Sequence, residues 1–543
     1  MKKTLLAILM ITSAVISSFA GGLLTNSNQS VQFVRMPSRN ASTQIDAVYF
    51  NPAGLIKLED GWHFSLNNQT ISQNKTVYST FPLLNNKNYL GKVKVPVFPT
   101  AFAVFKKDRL AVSLGFGPNA GGGSANFETG LPSFEIPISK VVPGLSGLKA
   151  LGYDVSNYNA KIQFEGSSIF WGIQLGATFK INDIFSVYGG ARYMPSTNTY
   201  SGTIKDISVK VNGTYLKAAD FLPQVGNVLK TNATALSAAA TGLQPLVAAA
   251  GSATLAQLVA AGNLPEANRN ALITNLVNLG VPVATANAMS VTQVQATLNT
   301  SATTLNTQGT VLIATGGQLA DKEVDTKQTG TGICPIVGVN IAPSDKLNIA
   351  VRYEHVTKLK LTNSTKVDNL GLFPDGQKVT SDIPGLLALG IGYKTPVKWL
   401  EAMVSYTTYF DKGVSWGYNI RENVHKRTTK RMIDHNYYEL ALGLIFKVSD
   451  RFSFSMGGLT SQPGTADSYQ SDFSYSNPST TFGYGCQWKA SDRLTFDAGL
   501  LSSFYKDETI TYNDSDLPSG KYTDTLGKTT TIFSFGLSYT IFR

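Results

Sequence analysis

The sequence predicts an all-β protein: an antiparallel transmembrane β-barrel of about fourteen strands, with an N-terminal plug and a helical insertion in one outer loop. Three observations lead there. The composition is poor in charge and rich in glycine and aromatic residues. The chain opens on an export signal. Short polar turns then alternate strictly with long polar connections.

Of 543 residues only 15% are charged, against roughly a quarter in typical soluble proteins. The 49 Gly, 28 Phe and 23 Tyr favour extended, tightly turning structure. A hydrophobic content of 43% argues against disorder. Two Cys exclude a disulfide scaffold and a Cys-based zinc module. Four His, with no HExxH and no clustered ligand spacing, give no reason to expect a metal or another cofactor.

Residues 1–20 read as a secretory signal peptide. Lys2 and Lys3 form the basic region, Thr4–Ile16 the apolar one, and Ser18-Phe19-Ala20 the cleavage site. No later stretch offers about 18 uninterrupted apolar residues, so any membrane crossing by the exported chain falls to β-strands.

The strands are counted by their turns. Phe105–Leu110, Phe179–Phe185, Pro343–Leu347, Tyr393–Trp399, Phe446–Phe452 and Trp488–Leu494 each hold a short polar turn between apolar-alternating segments. Long Gly/Asn/Ser-rich connections fall between them, around 80–95, 118–164, 203–328, 363–383, 411–432, 461–478 and 509–528. Short periplasmic turns and long outer loops are the asymmetry of a bacterial outer-membrane barrel. Within the strands one face is apolar and the other small or polar. Leu347, Ile349, Val351 and Tyr353 oppose Asn348, Ala350, Arg352 and Glu354. Phe533, Phe535, Leu537, Tyr539 and Ile541 oppose Ser534, Gly536, Ser538 and Thr540. The barrel domain is 61–543, its last strand closing near the penultimate Phe542 and Arg543.

Residues 204–328, rich in Ala, Thr and Leu, depart from this pattern. Pro265-Glu266 opens a helix that stops at Gly280. Ser290 and Gln293 form a capping box, and Thr254–Ala261 is a third short helix before Gly262. A self-packed cap, an adhesive head, an apolar landing groove and low-complexity disorder are the readings open for this insertion.

Residues 21–60 precede the first strand. They carry too little apolar surface to fold alone, yet Tyr49-Phe50 is too apolar to stand in water, so they are expected to plug the barrel. Asn51-Pro52-Ala53-Gly54 is a natural turn within them.

Together the signal, the Gln29-Ser30…Arg35…Ala41-Ser42 segment, Phe50-Asn51-Pro52-Ala53-Gly54 and the barrel resemble the outer-membrane hydrophobic-compound transporters of the FadL/TodX type. The likeness covers the architecture of the mature chain and, in specific residues, mainly 21–60. The 203–328 insertion and the Arg543 ending depart from that family's pattern. The resemblance implies transport of hydrophobic compounds, long-chain fatty acids foremost. The route it implies is capture at outer loops, binding inside a plugged barrel, movement of the N-terminal segment and lateral release. It implies a location in the outer membrane of a Gram-negative cell, and a monomer whose partners are a hydrophobic ligand, outer-membrane lipid and the barrel-assembly machinery. No nucleic-acid partner is expected.

Leu114–Asn119 lies where the family has an aromatic-Gly-Pro stretch near a kinked third strand. Gly115, Gly117 and Pro118 are therefore candidates for a wall kink at a lateral exit, or they merely ease loop entry. Phe116 lines that exit or belongs to an aromatic girdle. Arg192 and Arg352 are lumen candidates to meet a carboxylate, or they pair with inward acids such as Glu354, Glu439 or Asp497. A non-specific diffusion porin and a surface adhesin barrel are the alternative functions. An enzyme is not expected, because no Ser/His/Asp grouping stands out among the four His.

Overall fold

The structure is a computed structural model and describes residues 25–414 and 433–542. The signal peptide, residues 21–24, residues 415–432 of the 411–432 loop and Arg543 lie outside the described residues.

Fourteen strands form a closed antiparallel wall. They are β1 (Gly61–Ser79), β2 (Asn88–Lys107), β3 (Leu110–Phe127), β4 (Val155–Lys180), β5 (Phe185–Val211), β6 (Lys322–Ser344) and β7 (Leu347–Glu354). Then come β8 (Leu386–Lys394), β9 (Leu400–Tyr409), β10 (Tyr437–Lys447), β11 (Phe452–Gln462), β12 (Ser479–Lys489), β13 (Leu494–Tyr505) and β14 (Lys521–Phe542). Each strand pairs with the next, and β14 closes on β1 in register from Gly61↔Phe542 to Ser79↔Asp524. Closure removes the free edges except at one break between β2 and β3, as a membrane requires because the bilayer core offers no partner for a bare N–H or C=O. Among the described residues, all six tight turns stand where the polar punctuation puts them.

The period of two sorts the faces. On β1 the outward residues Trp62, Phe64 and Leu66 are exposed, and the inward His63, Ser65, Asn67 and Gln69 are buried. On β14, Phe533, Phe535 and Tyr539 face out while Ser534 is buried. An apolar belt outside and a polar interior make this an outer-membrane barrel.

Several boundaries differ from expectation: β2 already begins at Asn88 within 80–95, β14 begins at Lys521 within 509–528, and 363–383 holds strand residues up to Asp368 and at Lys378–Thr380. The stretch 118–164 is not all loop: β3 continues to Phe127 and β4 begins at Val155. The run Gly117–Ser124 has loop composition but stays extended through bulges opposite β4. The insertion is likewise shorter than 204–328, because β5 runs to Val211 and β6 starts at Lys322.

The chain forms two compact units. One holds most of the wall; the other comprises 137–161 and 205–321. In the second, helix Ala218–Gly242 packs along helix Val291–Gln318. Beside them Leu243, Leu255, Leu258, Leu272, Leu276 and Leu298 bury a core of their own. Thr254 and Ser290 each close a capping box with Gln257 and Gln293, and Gly262 and Gly280 end helices at positive φ. The insertion is therefore self-packed. By composition the stretch Ala218–Ala250 is apolar enough to cross a membrane, but Leu243-Gln244-Pro245 breaks it into two helices.

Candidate functional site

The site is built on the N-terminal segment, which fills the barrel. Ser30 caps helix α1 (Val31–Arg35), its hydroxyl accepting from Phe33 N at 3.1 Å. A second turn, α2 (Ala47–Phe50), leads through Asn51 into a 3-10 turn, Pro52–Lys57, and on to β1. Val31, Val34, Ala47, Val48, Ala53 and Leu55 have no solvent exposure.

Wall and plug are bonded at every level. Arg35 donates to Ser455 Oγ at 2.8 Å and pairs with Asp497 at 3.1 Å. Asn40 donates to Tyr406 O and to Thr407 Oγ1. Arg39 and Asp46 form a buried bidentate pair within the plug at 2.7 and 2.8 Å. The wall makes room with glycine: a Cβ on Gly390 would stand 2.4 Å from Ala41 N, and one on Gly536 would stand 2.5 Å from Val31 Cγ1.

The Asn-Pro-Ala-Gly turn sits in this seam. Asn51 Nδ2 donates to Ser42 O at 2.9 Å and to the wall's Asn340 Oδ1 at 2.8 Å. Thr178 and Ser186 donate to the carbonyls of Pro52 and Ala53. A Cβ on Gly54 would lie 2.3 Å from Asn51 Nδ2, so only glycine lets that amide reach both acceptors.

Arg192 and Arg352 are both buried beside the plug. Arg192 grips Glu354 at 2.6 and 3.0 Å, and Arg352 stands 3.5 Å from the same carboxylate. Between them lies the Tyr49 ring, 4.8 Å from one guanidinium and 4.9 Å from the other. Burial, and then the Glu354 carboxylate, push the Tyr49 phenol up to about 12, so the ring stays neutral. In this structure the two arginines serve the pairing alternative.

The wall is broken on one side. β2 and β3 pair from Lys107↔Leu110 up to Ala101↔Phe116 and resume at Val93↔Ala125, leaving 94–100 and 117–124 unpaired with each other. Gly121 and Gly122 take positive φ at bulges inside this gap. Gly117 and Pro118 begin it. Gly115 does not belong to it, because it keeps regular partners on both sides, Phe102 and Gln174. Phe116 is also not a lumen residue: it shares the outward face with Leu110, Val112 and Leu114 and stacks on Trp171 at 5.1 Å. The plug's leading end covers the gap from inside. Thr25 bridges to Ala120, and Asn26 Nδ2 and Gln29 Nε2 donate to the carbonyls of Gly121 and Pro118 at 2.6 and 2.9 Å.

A cavity of about 440 Å³ opens beside that gap, within the about 300–1,000 Å³ usual for ligand sites. Val93, Val95, Phe98 and Gly121–Gly123 border it at the break. Phe33 and Asn26–Asn28 border it from the plug, and Leu459, Leu501 and Ile532 from the far wall. Lys75 and Lys528 also line it. They are direct cross-strand partners, an arrangement that costs stability for like charges. The Lys528 ammonium lies 4.1 Å from the Tyr505 ring centre and that of Lys75 lies 5.7 Å from Tyr475. Among the described residues neither lysine is ion-paired to a carboxylate. Sequence reading missed both. Around them Ser72-Gln73-Asn74-Lys75-Thr76 is polar at every position, so no alternation tells inside from outside.

No family model and no curated relative matches the chain. Among solved structures, a FadL homologue from Pseudomonas aeruginosa is similar at a TM-score of 0.56 and 14% identity, over 96% of this chain and 99% of that one. The chain has the fold of that FadL homologue. Toluene transporters also match: TbuX of Ralstonia pickettii at TM-score 0.48 and 13% identity, over 96% of this chain and 99% of that one. TodX of Pseudomonas putida matches at 0.49 and 10%, over 95% and 99%.

Proposed function

We propose that this barrel carries amphipathic hydrophobic carboxylates, long-chain fatty acids foremost, across the outer membrane. The observation that carries this reading is the cavity itself, its lining mixed apolar and polar, beside a gap in the barrel and with two lysines that no carboxylate pairs among the described residues. An alkyl chain gains by leaving water for the apolar part of that lining. Its carboxylate gives Lys75 and Lys528 the charge-assisted partner the protein withholds. Exit is sideways: the Thr25–Gln29 strap moves off the 94–100/117–124 gap and the ligand passes into the bilayer. A neutral hydrocarbon needs no lysines, and a diffusion porin needs an open lumen, whereas here the plug is bonded across it.

In this reading residues 1–20 direct export, 21–60 are the hatch, 61–543 are the barrel and 204–328 is an outer insertion. The protein acts as a monomer without enzymatic chemistry, inserted by the barrel-assembly machinery. Arg192 and Arg352 position the hatch rather than the ligand.

The test is binding of cis-parinaric acid to the purified protein in detergent, beside the neutral probe 1-N-phenylnaphthylamine. Hydrogen bonds to charged groups contribute about 1.5–3 kcal/mol, so Lys75→Met or Lys528→Met should weaken the acid roughly tenfold or more and leave the neutral probe near wild type. Equal loss for both probes would reject the carboxylate assignment.

A further inference from the structure

A second apolar space lies beyond the cavity. It is small, about 50 Å³, and is lined by Phe134, Ile162, Ile204, Val324, Leu372 and Phe373. Three side chains line both it and the large cavity: Phe164, Tyr200 and Phe473. They form the partition between the two. The Phe164 and Phe473 rings are 4.7 Å apart and tilted, and Phe134 leans on both at 5.7 and 6.4 Å. Tyr200 stacks on Phe373 at 5.4 Å. Phe164 and Phe473 are only half-buried, unlike Phe134.

Two details bear on how this partition is held. Phe473 is carried by the 463–478 connection between β11 and β12, not by the wall. That connection is held by its neighbour Asp472, whose buried carboxylate accepts from Ser133 N at 2.7 Å at the start of helix Pro132–Ser139. The same helix carries Phe134. Opposite, Gly202 and Gly166 leave space beside the Phe164 ring, where a Cβ would come within 3.3 and 3.4 Å. Rings in tilted or stacked contact separate by rotation about χ1 and χ2 without breaking a backbone hydrogen bond.

We propose that Phe164, Phe473 and Tyr200 are an aromatic gate between this small apolar space, as an entry, and the internal cavity, and that the Asp472–Ser133 bond sets how readily it opens. An alkyl chain entering by this space meets these rings before it meets Lys75 and Lys528. The gate rests on the reading of the cavity as a ligand site. It makes a separate claim, about rates of entry rather than about affinity or the ligand's charge.

The experiment is stopped-flow binding of cis-parinaric acid and of 1-N-phenylnaphthylamine to the intact detergent-solubilised protein. Phe473→Ala should raise association and dissociation rates together, by roughly tenfold. Asp472→Ala, which touches neither space, should raise both in smaller measure. In a background of Cys334→Ala and Cys486→Ala, the pair Phe164→Cys and Phe473→Cys should close under a bis-methanethiosulfonate linker. Both rates should then fall, and dithiothreitol should restore them. The two probes separate the claims. Loss of acid binding on changing the lysines tests the carboxylate, whereas the gate predicts the same rate changes for acid and neutral probe alike. Faster dissociation with unchanged association would make these rings mere lining and overturn the gate, as would rates indifferent to the linker. Failure of both probes to bind would overturn the gate together with the ligand site.

Discussion

Tyr49 is the side chain on which the plug's grip on the wall turns. A ring between two guanidiniums that share Glu354 converts a crowded positive site into a satisfied one. Desolvated cation–π contacts contribute about 2 kcal/mol or more. Tyr49→Leu should therefore loosen the plug by about that amount, and Tyr49→Phe should not. Hydrogen exchange at Val48–Asn51 reads the difference. Removing Asp497 leaves Arg35 buried and unpaired, a cost of about 3–5 kcal/mol; Asp497→Ala should thus release α1 while the wall keeps its ladder. Asp411 gives a pH prediction. It lies in the turn after β9, fully buried, and burial pushes its carboxyl up to about 7. Because the folded value exceeds the ordinary 3.8, the native state holds the proton longer. Stability of this turn is then greatest in acid and falls as pH rises from about 4 to about 7. Asp411→Asn should abolish that dependence in exchange measured between Phe410 and Val414.

Elements differ in how openly the sequence announces them. The tight turns are local chemistry, Asn, Asp, Ser and Lys between apolar runs, so all six could be placed without knowing what packs where. The capping box at Ser290 was legible for the same reason, whereas that at Thr254 was not read, and Ser290→Ala should cost its helix about 1 kcal/mol, measured by thermal melting of the helical signal. The gap between β2 and β3 was legible only in part. Gly117 and Pro118 mark its start. The decisive Gly121 and Gly122 look like loop residues until their neighbours show them to be bulges. Side-chain orientation was lost where a strand is polar on both faces, which hid Lys75 and Lys528. The Gly390 and Gly536 clearances depend on a plug more than a hundred residues distant in sequence, and no local pattern reveals them. Gly390→Leu, placed against Ala41 N, should expel the plug and leave β8 in the wall, seen as protease access to 25–60 in a heat-modifiable barrel.

For the whole molecule, the account sets a closed wall against a removable interior. Outside the 117–124 gap, where the plug satisfies the Pro118 and Gly121 carbonyls, the wall's ladder hydrogen bonds run strand to strand. The plug is held by side-chain bonds and ion pairs that can be exchanged. This separation lets the barrel stay inserted while Thr25–Gln29 leaves the gap. It also fixes topology: tags at Asp345 and Asp492 should be hidden from the cell surface and a tag at Ser519 accessible to antibody. The measurement that tests the central claim most directly is ion conductance in planar bilayers, comparing the intact protein with a form lacking Gly21–Asn40 but retaining the signal. The intact protein should hold its lumen closed and conduct little, while the deletion inserts as a folded barrel and conducts strongly as water replaces α1. Porin-level conductance from the intact protein, unchanged by the deletion, would contradict a plugged transporter and make this barrel a diffusion pore.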